Sequence, residues 1–188
     1  MRKIDTFKGI LTDCPTTVIV NSSNTDMALG SGVSNDIRNA CGGAGFQQEC
    51  TEARESLDGE TLPQGHVAIT SGGASRYRWI FHAAVMDFRK SHATSYPVVR
   101  TCMLNVLKTA EDLIEEEDLE ELTVGVPLFG TNVGRLSVDE SCNAICEAIK
   151  AHFPRHRGSK ISAILFAHPD PEVCKKVQMI LGNHFVLK

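Results

Sequence analysis

Long apolar runs, a charge excess of one sign and a dense cysteine framework are all missing from these 188 residues, and each absence removes a class of protein. The apolar stretches are as short as "TVIV" (Thr17 to Val20) and "AILFA". Both fall far below the roughly 20 residues that span a bilayer, so no transmembrane helix and no membrane partner are expected. The first residues, "MRKIDTFKGILTDCP", carry no long apolar segment of the secretory type, and a cytoplasmic location is expected. Net charge is -4 with no dense Lys/Arg stripe, which gives nucleic acid little to hold. The basic "KAHFPRHRGSK" (Lys150 to Lys160) reads as a helix end, where cations complement the dipole. Seven cysteines form an odd set, mostly inside apolar patterns where a thiol acts as a small hydrophobe. A reduced compartment follows.

What is present is alternation. Apolar, β-branched runs at Thr17 to Val20, His66 to Thr70, Trp79 to Val85, Leu122 to Val126 and Ile161 to Ala167 read as strands. Between them lie helical periods. In "VDESCNAICEAIKAHF" one stripe joins Val138, Cys142, Ile145, Cys146, Ile149 and Phe153, and a second runs from Val99 to Ile114. A last helix is expected after "HPDP", with Asp170 as N-cap and Pro171 in its first position. "IDTFKG" and "NHFVLK" are candidate edge strands, while "ARESLDGETLPQG" (Ala53 to Gly65) and "DFRKSHATSYP" (Asp87 to Pro97) read as loops. There is no repeat, low-complexity tract or linker. The pattern predicts one domain over residues 1–188: a three-layer α/β/α sandwich around a mixed, mostly parallel sheet.

Two glycine-rich segments follow predicted strands: "NSSNTDMALGSGVSNDIRNACGG" after Val20, and "VPLFGTNVGRLSVDES" after the strand at Leu122 to Val126. Loops of this kind at the carboxyl ends of strands, beside helix N-termini, turn backbone N–H groups toward an anion such as a diphosphate. Glycine serving a plain turn is the bland alternative for either loop alone. A Walker loop is excluded, because no Gly-Lys-Ser/Thr occurs. A dinucleotide fingerprint is excluded too, because nine residues separate Val20 from Gly30 and only Gly30-Ser31-Gly32 matches.

These segments resemble the signatures of the macro domain family, whose members bind ADP-ribose and include Appr-1''-p-processing proteins. "VIVNSSNTDMALGSGVSNDIRNACG" is similar to the first signature, in which a strand ends in Asn-x-x-Asn ahead of a Gly-rich loop and helix. "LPQGHVAITSGGAS-RYRWIFHAAV", "VGVPLFGTNVGRLSVDESCNAI" and "AILFAHPDPEVCKKV" resemble the central segment, the second signature and the closing strand and helix. The likeness runs in order along nearly the whole chain. It implies ADP-ribose or an ADP-ribosylated protein as partner, and no cofactor or metal.

By that resemblance Asn24 hydrogen-bonds a distal ribose hydroxyl. Gly30, Ser31, Gly32 and Val33 line one side of the diphosphate, and Gly130, Thr131, Asn132, Val133 and Gly134 the other. Phe166 stacks on adenine, while Asn21 ties the strand end to neighbouring loops. Residue by residue, Asn24 is equally a loop residue bonding local backbone, and Phe166 equally a core filler. Departures from the pattern bear on specificity. Ile10 stands where many members have an acid for the adenine amine, leaving the backbone of Ile10 and Leu11 to meet the base, with Asp13 as a substitute if the loop bends. Asn132 replaces glycine and is expected to tolerate a left-handed turn. Arg135 either contacts the diphosphate or is exposed.

Ser34 bears on whether the chain also cuts its ligand, although by the same resemblance some hydrolases of the family rely instead on ligand distortion and a diphosphate-bound water. One hydrolytic group carries Asp there, working with the second Asn. A serine hydroxyl without a partner base lacks basicity near neutral pH, and Ser34 also fits as an N-cap. Asn24 and Ser34 are therefore the catalytic candidates of an alternative reading, ADP-ribosyl hydrolase or O-acetyl-ADP-ribose deacetylase. Asp36 is expected on another helix face. A third reading is an interaction module that keeps the fold without the nucleotide. "QQEC" (Gln47 to Cys50) reads as amphipathic helix, His82 as structural, and His152 with His156 as non-ligating because Pro154 intervenes. Cys142 and Cys146 read as core.

Overall fold

The computed structural model describes residues 2–57, 61–91 and 93–185. Six strands form one sheet in the order β1-β6-β5-β2-β4-β3. They are β1 (Lys3–Lys8), β2 (Val18–Asn24), β3 (Val67–Ser71), β4 (Trp79–Met86), β5 (Leu122–Val126) and β6 (Ile161–His168). All neighbours are parallel except β3, which pairs antiparallel with β4. The N-terminal segment thus supplies an edge strand. At the other end, Asn183 and His184 finish a helix, and residues 186–188 lie outside the described residues.

Alternation along the strands sorts their side chains into two cores. Val18 and Val20 of β2 point to one face with Ile164 and Phe166 of β6, where α3 (Tyr96–Glu116), α4 (Val138–His152) and α5 (Pro171–His184) pack. Ile19, Leu165 and Ala167 point to the other, against α1 (Gly32–Cys41) and α2 (Ala44–Glu55). The predicted stripe of α3 is buried from Val99 to Ile114, and Cys142, Ile145, Cys146 and Ile149 are buried on α4. Asp170 caps α5, its carboxylate accepting from the Glu172 N–H at 2.8 Å, with Pro171 opening the helix. All seven cysteines are free and buried.

Three boundaries differ from expectation. β2 continues to Asn24 because it stays paired with β4 along its full length. Ala53 to Glu55 belong to α2, and Tyr96 and Pro97 begin α3, so both predicted loops are shorter. Residues 58–60 and 92 of those loops lie outside the described residues.

Candidate functional site

The crevice arises where strands part. β2 pairs with β5 only through Val18 beside Val124 and Ile19 beside Gly125. Beyond that point β2 leads to α1 on one face, while β5 leads to α4 on the other. Opposite departures of adjacent parallel strands leave an opening at their carboxyl ends, the place where open α/β sheets take ligands.

Asn24, the last residue of β2, organises the first loop. Its Oδ1 accepts from the N–H groups of Asp26 at 3.0 Å and Ala28 at 3.2 Å, and its Nδ2 donates to the Ala28 carbonyl at 2.8 Å. One amide N–H remains uncommitted. Gln47 on α2 clamps the same loop, accepting from Leu29 N–H at 2.8 Å and donating to the Met27 carbonyl at 3.1 Å. That clamp offsets a left-handed Met27 (φ 51°), a conformation unfavourable for a residue with a long side chain. The loop then delivers Gly30 and Ser31 to the start of α1. Ser31 is the N-cap, yet its side chain makes no capping hydrogen bond. The first-turn N–H groups of α1 consequently lack a side-chain cap and face the cleft with the positive end of the helix dipole. Ser34 is not the N-cap; it sits inside the first turn of α1.

The second loop turns through Gly130, at φ 72°, and returns with Leu136 N–H donating to the Gly130 carbonyl at 3.1 Å. Gly134 has no room for a side chain, since a Cβ there would lie 2.5 Å from both the Gly130 oxygen and Thr94 Cγ2. The left-handed non-glycine residue of this loop is Arg135 (φ 58°), not Asn132. The helix that follows has no open N-terminus. Ser137 and Glu140 form a capping box, with Glu140 N–H donating to Ser137 Oγ and Ser137 N–H to the Glu140 carboxylate. Of these two helix starts, that of α1 lacks a side-chain cap and that of α4 has one.

Between the loops lies a cavity of about 320 Å³. Asn24, Gly30, Ser31, Gly32, Val33 and Ser34 line it from one side, and Gly130, Thr131, Asn132, Val133 and Gly134 from the other. The gap is narrow at Gly32, where a Cβ would stand 3.3 Å from Asn132 Nδ2. A second cavity of about 480 Å³ shares Gly32, Val33, Thr131 and Asn132 with the first, so the two adjoin at the start of α1. Ile10 and Leu11 line this second cavity. They are carried on a 3-10 turn pinned from below by the buried Tyr77, whose hydroxyl lies 2.7 Å from the Cys14 carbonyl oxygen.

Two predicted ligand residues lie elsewhere. Phe166 is 2% exposed and packs in the α3–α5 core, because strand periodicity sends it to the face opposite α1. The β6 contribution to the second cavity comes instead from Ala167, His168 and the following Pro169. Arg135 is exposed and lines neither cavity. Asp13 is likewise exposed outside the second cavity, whereas Asp36, two residues after Ser34, lines it.

Behind the first cavity runs a buried polar chain. Ser34 Oγ donates to Asn21 Oδ1 at 2.8 Å, Asn21 Nδ2 lies 3.2 Å from His82 Nδ1, and His82 Nε2 lies 2.9 Å from Thr70 Oγ1. Burial drives the His82 pKa down to about 3, so the ring is neutral.

The family model for the Macro domain matches residues 20–145, which spans both glycine-rich loops. The chain belongs to the macro domain family. An uncharacterized protein of Aquifex aeolicus is 24% identical, the alignment covering 95% of this chain and 98% of that one. A macro domain-containing protein of Streptomyces griseus is 32% identical over 106 residues, or 56% of this chain and 59% of its own. Among solved structures, a mutant Oceanobacillus iheyensis macrodomain with ADPR superposes with a TM-score of 0.79 at 24% identity, covering 96% of this chain and 91% of that one. A Trypanosoma brucei macrodomain in complex with ADP-ribose gives 0.76 at 20% identity, with coverage of 95% and 69%.

Sequence reasoning missed several lining residues of this macro domain. Phe88, after β4, is 55% exposed and stands at the first cavity. It lies in a segment without periodicity, so only its type, an aromatic in a polar loop, could have marked it. Pro127 and Leu128 line both cavities at the end of β5. Their position directly after a strand was the available signal.

Proposed function

We propose that this macro domain binds ADP-ribose, free or attached to a protein, in the crevice between Gly30–Val33 and Gly130–Gly134, and hydrolyses it weakly or not at all. The diphosphate lies over the uncapped start of α1, where backbone N–H groups and the helix dipole favour an anion. The distal ribose extends toward Asn24 and Ser34, and the base toward Ile10 and Leu11. Support for the ligand comes from family membership and from the ADP-ribose complexes of structurally similar macrodomains.

The observation that carries holding over cutting is the chemistry of the first cavity. Among the described residues lining it there is no Asp, Glu, His, Lys or Cys. General-base activation of water needs a titratable group within hydrogen-bond reach, directly or through one water. Ser34 donates its hydroxyl proton to an amide oxygen, which cannot take the proton away. Calorimetry with ADP-ribose and ADP tests binding, and chromatography of ester-linked ADP-ribosylated protein after incubation tests release. Saturable heat without release is the expected result. Absence of heat at millimolar ligand would reject the binding, and turnover lost in Asn24→Ala would reject the restriction to binding.

A further inference from the structure

The direction of each hydrogen bond in the chain behind the cleft can be worked out from a backbone carbonyl. Thr70 Oγ1 lies 3.0 Å from the Ser71 carbonyl oxygen, which can only accept, so the single hydroxyl proton of Thr70 is committed there. With that proton on Ser71, Thr70 Oγ1 accepts from His82 Nε2–H, 2.9 Å away, and Cys50 Sγ lies 3.8 Å from the same nitrogen. Neutral imidazole carries one N–H, which leaves His82 Nδ1 as an acceptor. Asn21 therefore turns its amide NH2 to His82 Nδ1 at 3.2 Å and its oxygen to Ser34. Ser34, 2.8 Å from that oxygen, spends its only proton inward.

We propose that Ser34 presents lone pairs alone to the first cavity, with Asn21, His82 and Thr70 as positioning residues that hold this polarity, and so selects ligands offering a hydroxyl donor there over those offering phosphate or carbonyl oxygen. The arrangement is shielded from water: Asn21 and His82 are fully buried and Thr70 nearly so. Burial also keeps His82 from protonating near neutral pH, a change that would turn Nδ1 into a donor facing the Asn21 amide. The first-turn N–H groups of α1 beside it have the opposite polarity, so the cavity carries donors for an anion and, next to them, an acceptor for a sugar hydroxyl. The sugar assignment rests on the ADP-ribose reading above.

The test combines 15N NMR of histidine-labelled protein with calorimetry. The unliganded protein is expected to show His82 as the Nε2–H tautomer. Ser34→Ala is expected to weaken ADP-ribose about tenfold while leaving ADP, which lacks the distal sugar, unchanged. Ser34→Thr, keeping the hydroxyl, restores binding. Thr70→Val, at a residue outside the cavity, should disturb the His82 tautomer and weaken ADP-ribose but not ADP. An Nδ1–H tautomer in the native protein would overturn the proposal, as would equal effects of Ser34→Ala on the two ligands. Failure of both ligands to bind the native protein would reject the ADP-ribose reading and the sugar assignment with it, while the tautomer would still decide the polarity of Ser34.

Discussion

Asn24→Ala separates a loop-building role from a ligand-holding one. The substitution removes three hydrogen bonds, two accepted from Asp26 and Ala28 N–H and one donated to the Ala28 carbonyl. Asp26 and Ala28 are exposed, so their freed groups turn to water and no desolvation penalty remains. Three bonds at about 0.5–1.5 kcal/mol each amount to about 1.5–4.5 kcal/mol. Gln47→Ala removes two bonds from the same loop, but its partners sit in buried Leu29 and Met27, where two unpaired groups at about 1–3 kcal/mol each cost about 2–6 kcal/mol. Gln47 does not line the first cavity. Urea unfolding should thus rank Gln47→Ala as at least as destabilising as Asn24→Ala. If the spare Asn24 N–H meets the ligand, calorimetry with ADP-ribose should rank them the other way, with Asn24→Ala weaker by about tenfold. Equal loss of affinity in the two variants would refute the ligand contact and leave Asn24 as a builder of the loop.

Gly134→Ala brings a methyl carbon to 2.5 Å from the Gly130 oxygen, so the second loop must shift; ADP-ribose affinity should fall in calorimetry, and urea unfolding should show a loss of about 1–3 kcal/mol. Phe166→Ala opens a void in the larger core and should cost about 3–5 kcal/mol in urea unfolding, whereas Phe88→Ala, at an exposed site, should leave the midpoint in place and alter ligand affinity. His82 is held neutral down to about pH 3 when folded but titrates near 6.5 when unfolded, so its contribution is present above 6.5 and is lost progressively as pH falls toward 3. One such proton steepens the acid side of the stability curve by up to about 1.4 kcal/mol per pH unit, and His82→Gln should show a shallower decline in that window.

Local periodicity was enough to place the central strands and the helices α3 to α5, though not their ends. The short apolar run of β2 and the apolar stripes of α3 and α4 depend on backbone geometry alone, and Asp170-Pro171 marks a helix start by chemistry confined to a few residues. The two glycine-rich loops were legible for the same reason, because glycine between strand and helix is a local demand. Phe166 and Ala167 differ by one residue, and which of them faces α1 depends on how the sheet is sandwiched between helices. That made the aromatic look like a ligand residue when it is core. The two loops likewise resemble each other as sequence, yet Ser137 and Glu140 close the start of α4 while α1 stays without a side-chain cap. Phe88, Pro127 and Asp36 reach the crevice only because β2 and β5 part after Ile19. The motifs of this chain, by their resemblance to a known family, pointed to a macro domain with a crevice between two glycine loops. Only the packing decided which way Ser34 points its proton, since that direction is set by Thr70 and His82, residues brought behind it by strand pairing across the sheet.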